Sequence, residues 1–294
     1  MKKWIWLTLI LFALCTLAAG GWYYYPQFKI DRLKAQNAAA TESAGTNSRS
    51  ADVSYIQHLK SLPAKEIHHL ALGDSVIQGR GSNQGGFIKM ANSNLAVLTS
   101  KKVQLDNQGI SGATSRDLLD YISSPGMSDR IKSADIITIN IGGNDLVKLA
   151  LKEGPVQALQ DYQNVKSAYE ENLNKIFSLI RKENPDAILV YNELYNAVDS
   201  GESFYPATKK LLNDWNLIAY ETTAKYKPSV VIPSSEVLKP ENRKEWIYDS
   251  IHPNDKGHEL IAEQMIKTLK APYKKNKRHC PSRGQCLFIF IQRA

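Results

Sequence analysis

The chain has 294 residues, of which 43% are hydrophobic and 22% charged, enough for one large α/β domain with a sizeable core plus appendages. Its net charge of +8 sits in the flanks: residues 1–50 carry six Lys/Arg against two acids and residues 271–294 carry six against none, which leaves 25 basic and 27 acidic residues between them. A nucleic-acid protein carries its basic excess on the folded domain, so that class is set aside. No Cys falls between 51 and 270, so a disulfide framework or a Cys-ligated metal site is excluded there.

At the N-terminus, Lys2 and Lys3 precede an apolar run from Trp4 to Ala19, the order of a secretory signal. Leu17-Ala18-Ala19 and Ala18-Ala19-Gly20 both suit cleavage. Counting on through Tyr25 gives 22 residues, long enough for a bilayer-spanning anchor with Trp22 to Tyr25 as its outer aromatic belt. Residues 1–25 thus read as a signal peptide or as a membrane anchor, and either places the main domain outside the cytoplasm. Leu14 is too bulky in front of Cys15 for a lipoprotein signal. Residues 31–51 are rich in Ala, Ser, Thr and Asn and hold too few large apolar side chains to offset ordering entropy. The whole of 26–62 is therefore expected as a flexible stalk with a short helix over 52–62, ended by Pro63.

From residue 67 strands and helices alternate. Strands are predicted at Ile67–Leu72, Lys102–Leu105, Ala134–Ile141, Ala187–Leu194 and Ser229–Ile232. Helices are predicted at Phe87–Leu98, Tyr162–Glu183, Tyr205–Tyr226 and Lys256–Leu269. Ala134–Ile141 is apolar on both faces, as a central parallel strand is. The alternation predicts βαβ units over 63–270: an α/β fold, a three-layer α/β/α sandwich of flavodoxin-like type around a mostly parallel five-stranded sheet. The basic tail 271–294 continues no pattern and is expected to be poorly ordered. Its Cys280 and Cys286 either bridge or stay free.

Ligands of such a sheet bind beyond the carboxyl ends of the strands. Three polar motifs fall there, and a fourth precedes the last helix. Gly73-Asp74-Ser75-Val76-Ile77-Gln78-Gly79 follows the first strand. An exposed serine at a tight strand-to-helix turn, with free N–H groups beside it, suits a nucleophile near an oxyanion hole. Taken alone it reads first as a glycine turn with Asp74 or Ser75 as N-cap. In Gln108–Ser115, Gly112 can bring an N–H to a ligand with no Cβ in the way, although a plain loop is the first reading. In Ile141-Gly142-Gly143-Asn144-Asp145, Asn144 can aim its amide into the site. Asp145 reads as the cap or first-turn acid of the helix that follows. In Tyr248–His258, Asp249 and His252 are three apart, so the carboxylate can fix the tautomer of the imidazole and leave its other nitrogen as a base.

Together and in this order, the motifs GDSxxxG at 73–79, GGND at 142–145 and DxxHPN at 249–254, with the shorter block around Gly112, resemble the SGNH/GDSL hydrolase family over roughly 67–270. The resemblance implies a lipase or esterase in which Ser75 is the nucleophile, His252 the general base and Asp249 its orienting acid. It implies an oxyanion hole of the Ser75 and Gly112 N–H groups and the Asn144 side chain. It implies no metal and no organic cofactor. Its substrates are acyl esters or thioesters of lipids or small molecules. An O-acetyl esterase acting on cell-wall or other carbohydrate is the alternative within enzymes. Transfer of the acyl group to another alcohol needs the same residues. A non-catalytic surface module that binds acylated glycans or a protein partner is the reading from another class, and the intact set of five residues argues against it. His58, His68 and His69 are given no role, His258 a packing or capping one, and Asp74 a structural one. Glu193, Tyr195 and Asn196 are candidates to line the substrate pocket. A single domain of this kind is compatible with a monomer.

Overall fold

The computed structural model describes residues 2–46, 53–150 and 154–274. In chain order the elements are α1 (Lys2–Thr46), α2 (Tyr55–Ser61), β1 (Glu66–Gly73), α3 (Ser75–Gln78), α4 (Gly86–Thr99), β2 (Lys102–Gly109), α5 (Ser115–Ile122), α6 (Met127–Ser133), β3 (Ile136–Asn140) and α7 (Gly143–Ala150). They continue with α8 (Gly154–Glu183), β4 (Ile188–Asn192), α9 (Tyr205–Lys225), β5 (Ser229–Ile232), α10 (Arg243–Trp246) and α11 (Asp255–Leu269). The five strands form one sheet in the order β2-β1-β3-β4-β5, and every pairing is parallel. This is the three-layer α/β sandwich expected, with the reversal of strand order next to β1.

Alternation along the strands sorts the core into two layers. Leu70 and Leu72, Ile137 and Ile139, and Leu189 and Tyr191 face one side, where α5, α6, α8 and α9 cover them. Ile67 and Ala71, Ile136, and Ile188 and Val190 face the other, under α2, α4, α10 and α11. Strands buried on both faces read as near-continuous apolar runs. This is why β1, β3 and β4 stand out in the sequence. β2 is an edge strand of half-exposed residues and runs four positions further than its short pattern predicts.

Residues 26–46 are not a loose stalk. They belong to α1, which packs along α9. The Tyr23 hydroxyl donates to the Pro206 carbonyl at 3.2 Å, and the Trp22 ring covers the Lys210 ammonium at 4.2 Å. Further along, Lys29 approaches Glu221 at 4.0 Å and Lys34 pairs with Glu236 at 2.8 Å. The physical reason lies in spacing: Trp22, Pro26 and Ile30 recur every four residues and make one stripe, so a few large groups suffice to seat the helix. The Ala-rich stretch beyond Lys34 has high helix propensity. Composition alone conceals both facts. Among the described residues, no helix is long and apolar enough to cross a membrane.

The folded unit also runs past residue 270. Pro272 bridges Ser54, the Tyr273 N–H donates to the Val53 carbonyl at 2.8 Å, and the Tyr273 ring stacks on His58 at 3.9 Å. The rest of the predicted tail, with Cys280 and Cys286, and residues 47–52 lie outside the described residues.

Gly73 closes β1 against β3. Its φ is +146°, and a Cβ there would sit 2.0 Å from the Asn140 carbonyl oxygen. Backbone would have to move to admit any side chain. Gly73→Ala is expected to cost about 3 kcal/mol or more in a denaturant titration, because overpacking and an unfavourable φ act together.

Candidate active site

The site forms where β1, β3 and β4 end. Asp74 is the N-cap of α3, its Oδ1 accepting from the Val76 N–H at 2.9 Å. The chain therefore turns sharply at Ser75, which is buried at the bottom of an opening. Ser75 Oγ lies 2.8 Å from His252 Nε2. On the far side of the ring, His252 Nδ1 lies 2.9 and 2.8 Å from the two oxygens of Asp249. The three-residue spacing lets Asp249 hold its own loop as well: it accepts from the N–H groups of Ile251 and His252, both at 2.9 Å. Partial burial pushes the Asp249 carboxyl up, but the two backbone bonds and the His252 ring outweigh it and bring the pKa down to about 2. A carboxylate can only accept, so Nδ1 carries the proton. Nε2 then presents a lone pair to the Ser75 hydroxyl.

Asn144, on the first turn of α7, lines the same opening and donates one amide N–H to the Ala113 carbonyl at 2.8 Å. That bond fixes the plane of the amide and spends one of its two donors. Asp145 caps another helix than its own. Its oxygens take the Ser115 N–H at 2.9 Å and the Ser115 hydroxyl at 2.6 Å, at the start of α5. Gly112 occupies the turn after β2 with φ at +78°, and a Cβ there would meet nothing within 4 Å. The turn is tied to β1, which leads to Ser75, by the Ile110 N–H, which donates to the Gly73 carbonyl at 2.8 Å. Ser75, Asn144 and His252 line the pocket and Asp249 stands behind His252, whereas Gly112 is outside its lining.

The pocket holds about 380 Å³. Beyond the polar residues at one end, its walls are Leu146, Val147, Leu194, Phe204, Leu211 and Leu212. Tyr195 and Asn196 line it as the sequence suggested. Glu193 does not: it is buried and turned to Ser235, whose N–H it accepts at 2.9 Å. His258 has the packing role expected, with Nδ1 accepting from the Phe87 N–H at 3.1 Å and Nε2 facing the Arg80 carbonyl at 2.9 Å.

Two supporting arrangements escape a motif reading. The first is a buried polar chain across the strand ends. Asn140 donates to Asp74 Oδ1 at 2.9 Å, Asn192 donates to Asn140 Oδ1 at 2.7 Å, and Ser234 donates to Asn192. Asn140 and Asn192 each close an apolar strand, and that contrast is the signal that could have found them. Burial pushes the Asp74 carboxyl up to about 7 against the two hydrogen bonds it accepts. The second is Arg243, which donates to the carbonyls of Ala197 on one wall of the pocket and of Asp249 and Ser250 on the loop that carries His252. The Tyr195 hydroxyl adds a bond of 2.8 Å to the Ile251 carbonyl, so the two loops are stapled together.

The chain is thus an α/β protein with Ser75, His252 and Asp249 hydrogen-bonded in line at the carboxyl edge of a parallel sheet, where such sheets bind ligands. The chain belongs to the GDSL-like lipase/acylhydrolase family, whose model matches residues 71–260. It is 30% identical over 204 residues to the uncharacterized protein YpmR of Bacillus subtilis, covering 68% of this chain and 80% of that one. It is 25% identical over 207 residues to the spore germination lipase LipC of Bacillus licheniformis, covering 68% and 94%. Among solved structures, the lipase Lip_vut3 from a goat rumen metagenome superposes with a TM-score of 0.58 at 22% identity, over 68% of this chain and 96% of that one. The acetylxylan esterase Axe2 of Geobacillus stearothermophilus superposes with a TM-score of 0.52 at 19% identity, over 72% and 97%. The protein is thus an ester hydrolase by family.

Proposed function

We propose that the protein hydrolyses carboxylic esters of aliphatic acids through an acyl-enzyme on Ser75. The observation that carries this reading is the Ser75–His252 contact of 2.8 Å, backed by Asp249 and opening on an apolar pocket. Ser75 Oγ attacks the acyl carbon while its proton passes to His252 Nε2. The carbonyl oxygen becomes an oxyanion, held by the N–H groups of Ser75 and Gly112 and by the second amide hydrogen of Asn144. As the intermediate collapses, the bond to the alkoxide breaks, and His252 returns the proton to the leaving alcohol. Water then repeats the sequence and frees the acid.

The walls at Leu146, Leu194, Phe204, Leu211 and Leu212 support an acyl chain longer than acetyl, and so favour a lipase-type substrate over an acetylated sugar. The basic and then apolar N-terminal sequence supports work outside the cytoplasm. The experiment is a series of p-nitrophenyl esters from acetate upward. Turnover that rises from acetate to intermediate chains supports this reading; a maximum at acetate would favour the O-acetyl esterase. Within the same series, Asn144→Ala is expected to lower kcat about 10²–10³-fold with KM little changed, because the lost donor acts on charge that exists only in the transition state.

A further inference from the structure

α1 and α9 run in the same direction. Tyr23 and Trp22 meet Pro206 and Lys210 near the start of α9, and Lys29 meets Glu221 near its end. The start of α9 is at the catalytic edge of the sheet, where Phe204, Thr208, Leu211 and Leu212 line the pocket. The part of α1 before Trp22 therefore projects beyond that edge, by about 30 Å at 1.5 Å per residue. Large apolar side chains lie open to solvent here: Phe12, Leu14 and Leu17 on the projecting end, Tyr24, Tyr25 and Phe28 on the turns of α1 that follow, and Phe204 beside the pocket are each more than half exposed. Soluble monomers rarely leave such a concentration in water.

The distribution of these groups says what covers them. On the projecting part itself, Phe12 and Leu14 are two residues apart, so they point to nearly opposite sides of the helix. A second copy of the chain, or a groove on a partner, covers one face of a helix. An apolar solvent covers all of them. Trp and Tyr at the end of the exposed run, followed by Lys29 and the exposed Arg32, are the groups that settle among lipid headgroups. The apolar wall of the pocket begins at Phe204, on the same edge.

We propose that this aromatic collar docks the protein on a lipid bilayer surface with the mouth of the Ser75 pocket turned toward it, so that esters enter from the lipid layer. The substrate half of this inference rests on the ester-hydrolase reading of the pocket; the docking half does not.

The test uses the full chain and vesicles of phosphatidylcholine and phosphatidylglycerol. Wild type is expected to sediment with the vesicles. The variant Phe12→Ser/Leu17→Ser/Tyr24→Ser/Phe28→Ser is expected to partition about tenfold less or worse, since several buried aromatic and aliphatic groups each contribute to transfer. Its turnover of a long-chain p-nitrophenyl ester carried in the vesicles should fall in the same proportion, while its turnover of soluble p-nitrophenyl butyrate stays at the wild-type rate. The single exchange Tyr24→Ser, at an exposed position, should give a smaller loss of the same kind. Wild type that stays in the supernatant would overturn the proposal, as would a variant that sediments as well as wild type. A vesicle-free dimer that the variant abolishes, with no vesicle binding by wild type, would overturn it in favour of a second copy. Vesicle binding without turnover of any ester by wild type would leave the docking half standing and sink the substrate half with the reading beneath it.

Discussion

Ser75→Ala is expected to lower kcat/KM for a p-nitrophenyl ester by about 10⁴-fold or more, while far-UV circular dichroism and the thermal midpoint stay near wild type. Ser75 Oγ is held by the 2.8 Å bond to His252 Nε2 and fills little space, so its loss removes the proposed nucleophile and little packing. His252→Ala should cost nearly as much, and the double variant little more than either alone, because in the proposed mechanism the two groups act in one proton transfer. Asp249→Asn should leave a fold that orients His252 less well, since an amide can donate to Nδ1 and so stabilise the wrong tautomer. Steady-state rates for the three single variants and the double variant check this directly. A Ser75→Ala enzyme that keeps a tenth of the wild-type rate would remove Ser75 from the mechanism.

The central strands were legible because they obey a strong local rule, whereas the candidate site was legible only from four motifs taken together and in order. Ala134–Ile141 and Ala187–Leu194 are apolar on both faces, which only a covered parallel strand needs, and β3 and β4 lie inside those limits. The motifs that hold Ser75, Asn144, Asp249 and His252 are far apart in the chain, and the fold brings these four to one edge. What was not legible depends on contacts between distant segments. The seat of α1 on α9 is set by Trp22 over Lys210 and Tyr23 on Pro206, partners some 180 residues away, and a composition rich in Ala and Ser conceals it. Arg243 gives no local signal because its partners are main-chain carbonyls. Asp145 stands in the first turn of α7, as one of its two readings had it, but its carboxylate also takes the N–H and hydroxyl of Ser115 at the start of α5, a contact between distant segments that no local pattern carries.

Asp74→Asn is expected to change how stability varies with pH more than any other single exchange at the site. In the folded protein burial lifts the Asp74 carboxyl to about 7, against 3.8 for a free side chain. Between those two values the native state holds a proton that the unfolded chain has lost. Stability from this group is therefore fully present below about pH 4, falls as pH rises through 7, and is flat beyond. A rise from 3.8 to about 7 corresponds to roughly 4 kcal/mol across that window. Asparagine keeps an oxygen for the Val76 N–H and cannot ionise, so it retains the cap of α3 without the titration. Urea unfolding of wild type and variant from pH 4 to 8 should show the variant gaining on wild type by about that amount, with the difference confined to the window. Parallel curves would mean that Asp74 is ionised throughout. The neutral state suits the proposed mechanism: Asp74 adjoins Ser75, and a buried negative charge there would oppose the oxyanion proposed to form beside it. The hydrogen bonds from Val76 and Asn140 hold the carboxyl in place in either state, and the apolar surroundings at the end of β1 decide which state prevails.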